Sequence, residues 1–289
     1  MDIPRTLLLR ERFVWTGKYS GYDGLCGEII KGREKSCMSL WKKHGRSGLP
    51  GRDRVLSFFA EKLMSSTYYG PNSLALELAA SINALFLSPR LIHMTYLENM
   101  LGVLAYRRMR ISSRLVATAH QPPGWWKAVY KNPYRLANLD AVIALSRKQA
   151  AFFEEYIPGR VHFIPHGVNT EFFTPRVGPE NPEKKKSPPN FLFVGKYLRD
   201  WNTLSAVIEE VLKKEPHGRF DIVVPGFSRN FKDPAFVRTA RHDRVFWHSQ
   251  LSDLRLRGLY QEATAFILPL LDATANTALT EAIACGLPI

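Results

Sequence analysis

Two segments of the chain place cations, amides and a carboxylate where an anion could be held. Lys196 follows Gly195 at the end of the apolar run FLFV, and Arg199 lies further along the same loop. Strand-end loops of open α/β sheets are where ligands bind, although exposed loop cations also occur without one. Further on, DATANTALTE (Asp272 to Glu281) sets Asp272, Thr274, Ala275, Asn276 and Thr277 before a helical pattern that contains Glu281. The free N–H groups of a helix start suit phosphate oxygens. The simpler reading makes Asn276 or Thr277 a helix cap and Glu281 a solvated helix residue. In the first half, GKYSGYDGL (Gly17 to Leu25) has glycines that permit close backbone approach, which makes Ser20 and Gly21 candidates. An ordinary turn explains this loop as well, and it lacks the Gly-Lys-Ser/Thr of a nucleotide P-loop. His120 closes the run RLVATA, and an imidazole titrates near neutrality, as a hydrogen-bonding group or a base. Trp125 and Trp126 could stack on a ligand or belong to the core. His93 and Glu98 follow another strand-like run.

Positioning these residues requires alternating strands and helices. Strands are expected at Leu7 to Val14, Arg90 to Thr95, Arg114 to Ala119, Leu139 to Leu145 and Val161 to Ile164. Ser146 is placed to cap a helix containing Ala150, Phe152, Phe153 and Tyr156. The segment GPENPEKKKSPPN (178–190) reads as a linker, rich in proline and charge. Strands then resume at Phe191, Phe220, Val245 and Ala265, with helices over Leu204 to Leu212, Leu254 to Gln261 and Thr277 to Ala284. Such alternation implies doubly wound parallel sheets. The expected domains are 1–177 and 191–289, with a cleft between them. The closing EAIACGLPI ends at the start of a new strand, which reads as a truncation.

The composition bounds the function. With 289 residues, 45% hydrophobic and 12% aromatic, the chain has enough apolar material for two packed domains. No apolar run reaches membrane-spanning length: Leu74 to Leu87 contains Glu77, Ser81 and Asn83. Three cysteines without metal-site spacing or disulfide density point to a reducing compartment. The formal charge of +14 is unevenly placed, because residues 1–165 hold 24 basic and 12 acidic residues and residues 166–289 hold 16 and 14. Within the first half, Lys31 to Arg54 has eight basic residues against Glu34 and Asp53. Such a surface attracts polyanions or is a solvated basic face. No nucleic-acid-binding signature accompanies it, so no nucleic-acid partner is expected.

VHFIPHGVNTEFF (Val161 to Phe173), FLFVGKYLRD (Phe191 to Asp200) and TEAIACGLPI (Thr280 to Ile289) occur in that order. Together they resemble the retaining GT-B glycosyltransferases of family 4, or group 1. The resemblance implies two Rossmann-like domains facing each other, a nucleotide-sugar donor on the second and an acceptor on the first. It implies no metal and no cofactor beyond the nucleotide-sugar co-substrate, with UDP- or GDP-sugars as the expected donors. The chain itself has no Asp-x-Asp pair. Lys196 matches the first member of the family's basic pair. Trp201 stands where the second is usual, and Arg199 is the nearby substitute. Glu281 matches the glutamate that holds the ribose, whereas Ala273 stands where a first glutamate is usual, beside Asp272. Gly195, Asn276 and Thr277 join the implied donor site, with Ser20 and Gly21 opposite. His120 matches a histidine near the reacting sugar, while Trp125, Trp126 and His93 are placed to meet the acceptor. His166 marks the hinge segment, as an interdomain contact or a structural residue.

The implied reaction is metal-independent sugar transfer with retention, to a sugar, lipid-linked or other acceptor. The basic first domain adds an anionic membrane surface as a partner. The expected location is cytoplasmic, or peripheral at the inner face of the membrane. A catalytically inactive relative that binds or scaffolds remains the alternative, because Ala273 and Trp201 depart from the family pattern.

Overall fold

Leu7, Leu8 and Leu9 are all at most 1% exposed, so their strand is covered on both faces. Consecutive buried residues of this kind belong to parallel sheets flanked by helices on either side. In a computed structural model, described for residues 5–13, 17–43, 50–63, 66, 68–110, 112–130, 132–176, 188–226 and 233–289, two units build such sheets. The first comprises residues up to 16 and 22–166, and the second comprises 17–21 and 167–289.

In the first unit the chain runs β1 (Thr6–Arg12), α1 (Gly21–Ile30), β2 (Cys37–Lys43), α2 (Pro50–Leu63), α3 (Pro71–Leu87) and β3 (Leu91–Met94). It continues through β4 (Arg114–Ala119), α4 (Pro123–Val129), β5 (Ala141–Ala144), α5 (Arg147–Glu154) and β6 (Val161–Phe163). The six strands are parallel, in the order β2-β1-β3-β4-β5-β6. Ile92, Met94, Leu115 and Ala117 carry the central core, against which Ala80 and Ala84 of α3 pack. Ser146 caps α5, its side chain accepting from the Gln149 amide. Within the basic stretch the sequence reading placed no strand, yet β2 forms there. The strand accommodates Lys42 because its buried ammonium pairs with the Glu11 carboxylate of β1 at 3.2 Å and donates to Ser73 Oγ at 2.8 Å.

The second unit holds β7 (Asn190–Val194), α6 (Trp201–Lys214), β8 (Arg219–Val223), α7 (Pro234–Ala240) and β9 (Val245–His248). It ends with α8 (Asp253–Glu262), β10 (Ala265–Phe266) and α9 (Thr277–Ala284). Its parallel sheet has the order β10-β7-β8-β9. Leu204, Ile208 and Phe236 cover one face of this sheet, and Leu259, Tyr260 and Ala282 cover the other.

The expected linker lies mostly outside the described residues, which omit 177–187. The boundary of the first unit falls at His166, earlier than expected. Phe173 explains this: it is fully buried against Leu192, Tyr260 and Ala282 in the core of the second unit.

Candidate functional site

In each sheet one pair of neighbouring strands sends its connections to opposite sides, and loops diverging there leave a crevice at the strands' carboxyl ends. In the second unit the pair is β7 and β10. The loops that follow them are tied together: Arg199 bridges Leu270, the Asp200 amide donates to the Pro269 carbonyl at 3.1 Å, and the Leu271 amide to the Leu198 carbonyl at 3.0 Å. Gly195 starts the first loop at φ 96°, and a Cβ there would lie 2.8 Å from an Arg199 guanidinium nitrogen. Only glycine satisfies both conditions.

The Arg199 guanidinium fills the space so left. Nε and Nη2 donate to the Val194 carbonyl at 3.1 Å, and Nη1 donates to that of Tyr197 at 3.2 Å. Nη2 also reaches Asn276 Oδ1 at 3.3 Å, and the same oxygen accepts from the Leu279 amide, capping α9. Burial lowers the Arg199 pKa to about 10, which leaves it charged at neutral pH. Two buried polar atoms beside this cap, Asn276 Nδ2 and Thr274 Oγ1, have no hydrogen-bond partner among the described residues. Lys196 lies half-buried on the same loop as Arg199.

Glu281 sits one turn into α9 and is 2% exposed. Its Oε1 accepts from Ser20 Oγ at 2.5 Å and its Oε2 from the Tyr260 hydroxyl at 3.0 Å. Burial raises the carboxyl pKa to about 7, against the lowering effect of both hydroxyls. The loop 17–21 is therefore part of this unit. Tyr19 stacks on Phe172 at 4.1 Å, and the Lys18 amide donates to Asp253 Oδ2 at 2.8 Å.

In the first unit the corresponding strands are β1 and β3, and neutral rings gather near their ends. His120 stacks on Tyr96 at 4.2 Å and meets Tyr22 edge-on at 4.8 Å; the His166 ring lies 6.0 Å from Tyr22. His120 Nε2 bonds the Thr95 carbonyl at 2.8 Å, so that nitrogen carries the proton and Nδ1 is left as an acceptor. Burial lowers the His120 pKa to about 3. His93 Nε2 and the Tyr22 hydroxyl share Thr118 Oγ1, at 2.9 and 3.0 Å. Beneath the ring cluster, Glu98 Oε1 accepts from the amides of His120 and Gln121, which fixes the turn after β4. Among the described residues, no three His, Cys, Asp or Glu side chains group as metal ligands.

Comparison with known proteins agrees with this architecture. Residues 50–172 match the family model Glycosyltransferase Family 4, and residues 188–289 match Glycosyl transferases group 1. The chain is a group 1 glycosyltransferase of the GT-B type. Sucrose-phosphate synthase from Thermosynechococcus elongatus has a similar structure, with TM-score 0.68 and 16% identity, over 99% of this chain and 80% of that one. Anabaena HepE in complex with UDP and glucose aligns at TM-score 0.60 and 14% identity, over 99% and 79% of the two chains. The lipopolysaccharide outer core galactosyltransferase WaaB, in its apo form, aligns at 0.59 and 12%, over 98% and 79%. A search of curated protein sequences gave no match.

Several site expectations for this glycosyltransferase need correcting. Trp126 is core, 2% exposed and packed on Tyr130 and Phe153, with its indole N–H on the Gln121 carbonyl at 2.9 Å. Trp125 is half-buried and stacks on Tyr68, so only this indole retains an accessible edge. His93 is buried with its Nε2 engaged on Thr118, which removes it from any acceptor surface and makes it a support for Tyr22. Glu281 is not a solvated helix residue. Arg199 is not an open loop cation, because carbonyls of its own loop hold it. A base role for His120 conflicts with its lowered pKa. Trp201 packs on Phe193 and Phe236 within the core, where a lysine would be desolvated. Asp272 Oδ1 accepts from the Ala273 amide at 2.8 Å. Gly21 is the first residue of α1, at φ 78°, and Thr277 is the first of α9. Tyr22, Tyr96 and Tyr260 escaped the sequence reading, since isolated tyrosines carry no spacing signal.

Proposed function

We propose that this glycosyltransferase moves a sugar from a nucleotide-sugar donor, a UDP- or GDP-sugar, to an acceptor, with retained anomeric configuration and without metal. The observation that carries the reading is the Arg199–Asn276 pair at the start of α9, beside two buried polar atoms without partners among the described residues. A buried donor at a cationic helix start is suited to diphosphate oxygens. Lys196 supplies positive charge for the leaving diphosphate, and Arg199 holds the loop that carries it. Gly195 lets the backbone approach, while Asn276 and Thr277 present the helix amides and Asp272 flanks them. Glu281 takes a ribose hydroxyl in place of Ser20, and Gly21 leaves the facing loop room to adjust. The solved Anabaena HepE complex with UDP-glucose adds support for this class of donor.

In the first unit, the His120 Nδ1 accepts from a sugar hydroxyl and orients it, while Trp125 offers an edge to the acceptor. The departing phosphate oxygen takes the acceptor proton on the same face that the sugar leaves, which preserves configuration. The acceptor is a sugar or lipid-linked molecule, and the chain works in the cytoplasm or at an anionic membrane surface.

Donor hydrolysis followed by NMR in EDTA tests this reading. An α-linked donor should release the α-sugar first, without added metal. Initial release of the β-sugar, a requirement for a divalent ion, or no turnover of any donor whose nucleotide binds would contradict it.

A further inference from the structure

Helix α3 exposes one apolar face and buries another. Its inner face carries Leu74, Leu76, Ala80 and Ala84 into the core, and its one charged residue, Glu77, is completely buried under four backbone amides. The outer face is just as apolar. Leu78, Ile82 and Leu85 recur there at helical spacing, and Phe86 is 78% exposed.

The neighbouring α2 repeats the pattern. Val55, Phe58 and Phe59 stand out from it, each more than half exposed. Between the two helices runs a groove of about 530 Å³, walled by Leu56, Phe59 and Leu63 on one side, Leu74 and Leu78 on the other, and Tyr106 at its end. Exposed apolar area this continuous marks an interaction surface. Cations border it. Lys62 Nζ lies over the Phe58 ring at 4.4 Å, Arg108 lines the groove, and Arg54 and Arg107 are exposed nearby. Against them, Glu61 is the single carboxylate between residues 54 and 63, and residues 103–110 contain none.

We propose that this α2–α3 face docks the protein on an anionic lipid bilayer, with Phe58, Phe59, Ile82, Leu85 and Phe86 entering the interface. Lys62, Arg54, Arg107 and Arg108 meet the lipid phosphates from its border. Apolar side chains surrounded by basic ones are the pattern of an interfacial helix, and juxtaposed cations strengthen binding to anionic lipid. Charge selects this occupant over a second copy of the chain, since two such faces would bring like cations together. The inference deepens the membrane part of the proposed function. Its test involves no sugar transfer, so its failure leaves the donor reading intact.

The experiment is co-sedimentation of the full chain with vesicles of phosphatidylcholine alone and of phosphatidylcholine mixed with phosphatidylglycerol. The chain should partition onto the mixed vesicles at least about tenfold better. Phe58→Glu combined with Ile82→Glu should abolish partition to both. Lys62→Glu combined with Arg108→Glu should reduce partition to the mixed vesicles by about tenfold or more and leave the phosphatidylcholine baseline unchanged. Each substituted side chain is exposed or on the border, and circular dichroism verifies that the variants fold. Partition unaffected by the apolar pair, no partition of the folded wild type, or a dimer abolished by the apolar pair without vesicle binding would each overturn the proposal.

Discussion

The two sheets offer the same kind of crevice but furnish it in opposite ways. Near the ends of β1 and β3, the rings of His120, His166, Tyr22 and Tyr96 gather beside charges that are already paired, Arg10 and Arg12 on Asp23 and Lys42 on Glu11, and burial keeps the imidazoles unprotonated. Near β7 and β10, a guanidinium, a lysine and a carboxylate share one loop system and one helix start. Neutral rings with a lone-pair acceptor suit hydroxyl-rich, uncharged matter, whereas half-buried cations and helix amides suit an anion. The contrast teaches that identical topology leaves chemistry to a handful of loop residues.

The contrast can be broken most severely at Lys196. Lys196→Ala should reduce kcat by about a hundredfold to a thousandfold, the usual effect of losing one group that stabilises developing charge. His120→Ala should cost only about tenfold, because it removes an orienting acceptor. Steady-state rates with one donor would compare the two, and equal losses would erase the distinction drawn between the crevices.

Gly195→Ala comes next. A side chain at φ 96° and 2.8 Å from the Arg199 guanidinium should destabilise the fold by about 1–3 kcal/mol in a denaturant titration. Nucleotide affinity should fall with it, since Arg199 must shift.

The pH dependence of stability separates the crevices by sign. The Glu281 carboxyl, raised to about 7 by burial, binds a proton in the folded state before the unfolded chain does. Its stabilising contribution is complete below pH 4.5 and is lost as pH rises through about 7. His120, lowered to about 3, behaves oppositely: its contribution is present above pH 6.5 and is lost as pH falls toward 3. Thermal melts between pH 7 and pH 5 should therefore show a steeper loss on acidification in Glu281→Gln and a shallower one in His120→Gln. Matching slopes would contradict the assignment.

Ser20→Ala should give the smallest effect, about 1 kcal/mol, as one hydroxyl is removed from a carboxylate that keeps Tyr260. Faster amide exchange over 17–21 would sharpen the view that Glu281 anchors this loop.

Much of the frame was legible in the sequence. Runs such as RLVATA and FLFV are buried strands because each residue has a helix-covered face to fill. Ser146 and Asn276 announced their helices through the short polar side chain that a free amide requires. By contrast, β2 is hidden because Lys42 is buried through a partner, Glu11, that lies 31 residues away in another strand, and α2 because its apolar residues are spread among charges. The family resemblance pointed to Lys196, Arg199 and Glu281, but their surroundings were hidden. Ser20 and Glu281 are 261 residues apart, and no local pattern announces that hydrogen bond. Trp126 was ambiguous for a related reason, since an indole serves a core and a binding surface equally well until its N–H partner is known.

The central claim is that the crevice after β7 and β10 holds a nucleoside diphosphate. Thermal denaturation with UDP, GDP and ADP in EDTA, on wild type and on Lys196→Ala and Asn276→Ala, tests it most directly. The account predicts stabilisation by one nucleotide series, weakened in both variants. A folded wild type that none of the nucleotides stabilises, or a shift undiminished in both variants, would contradict it.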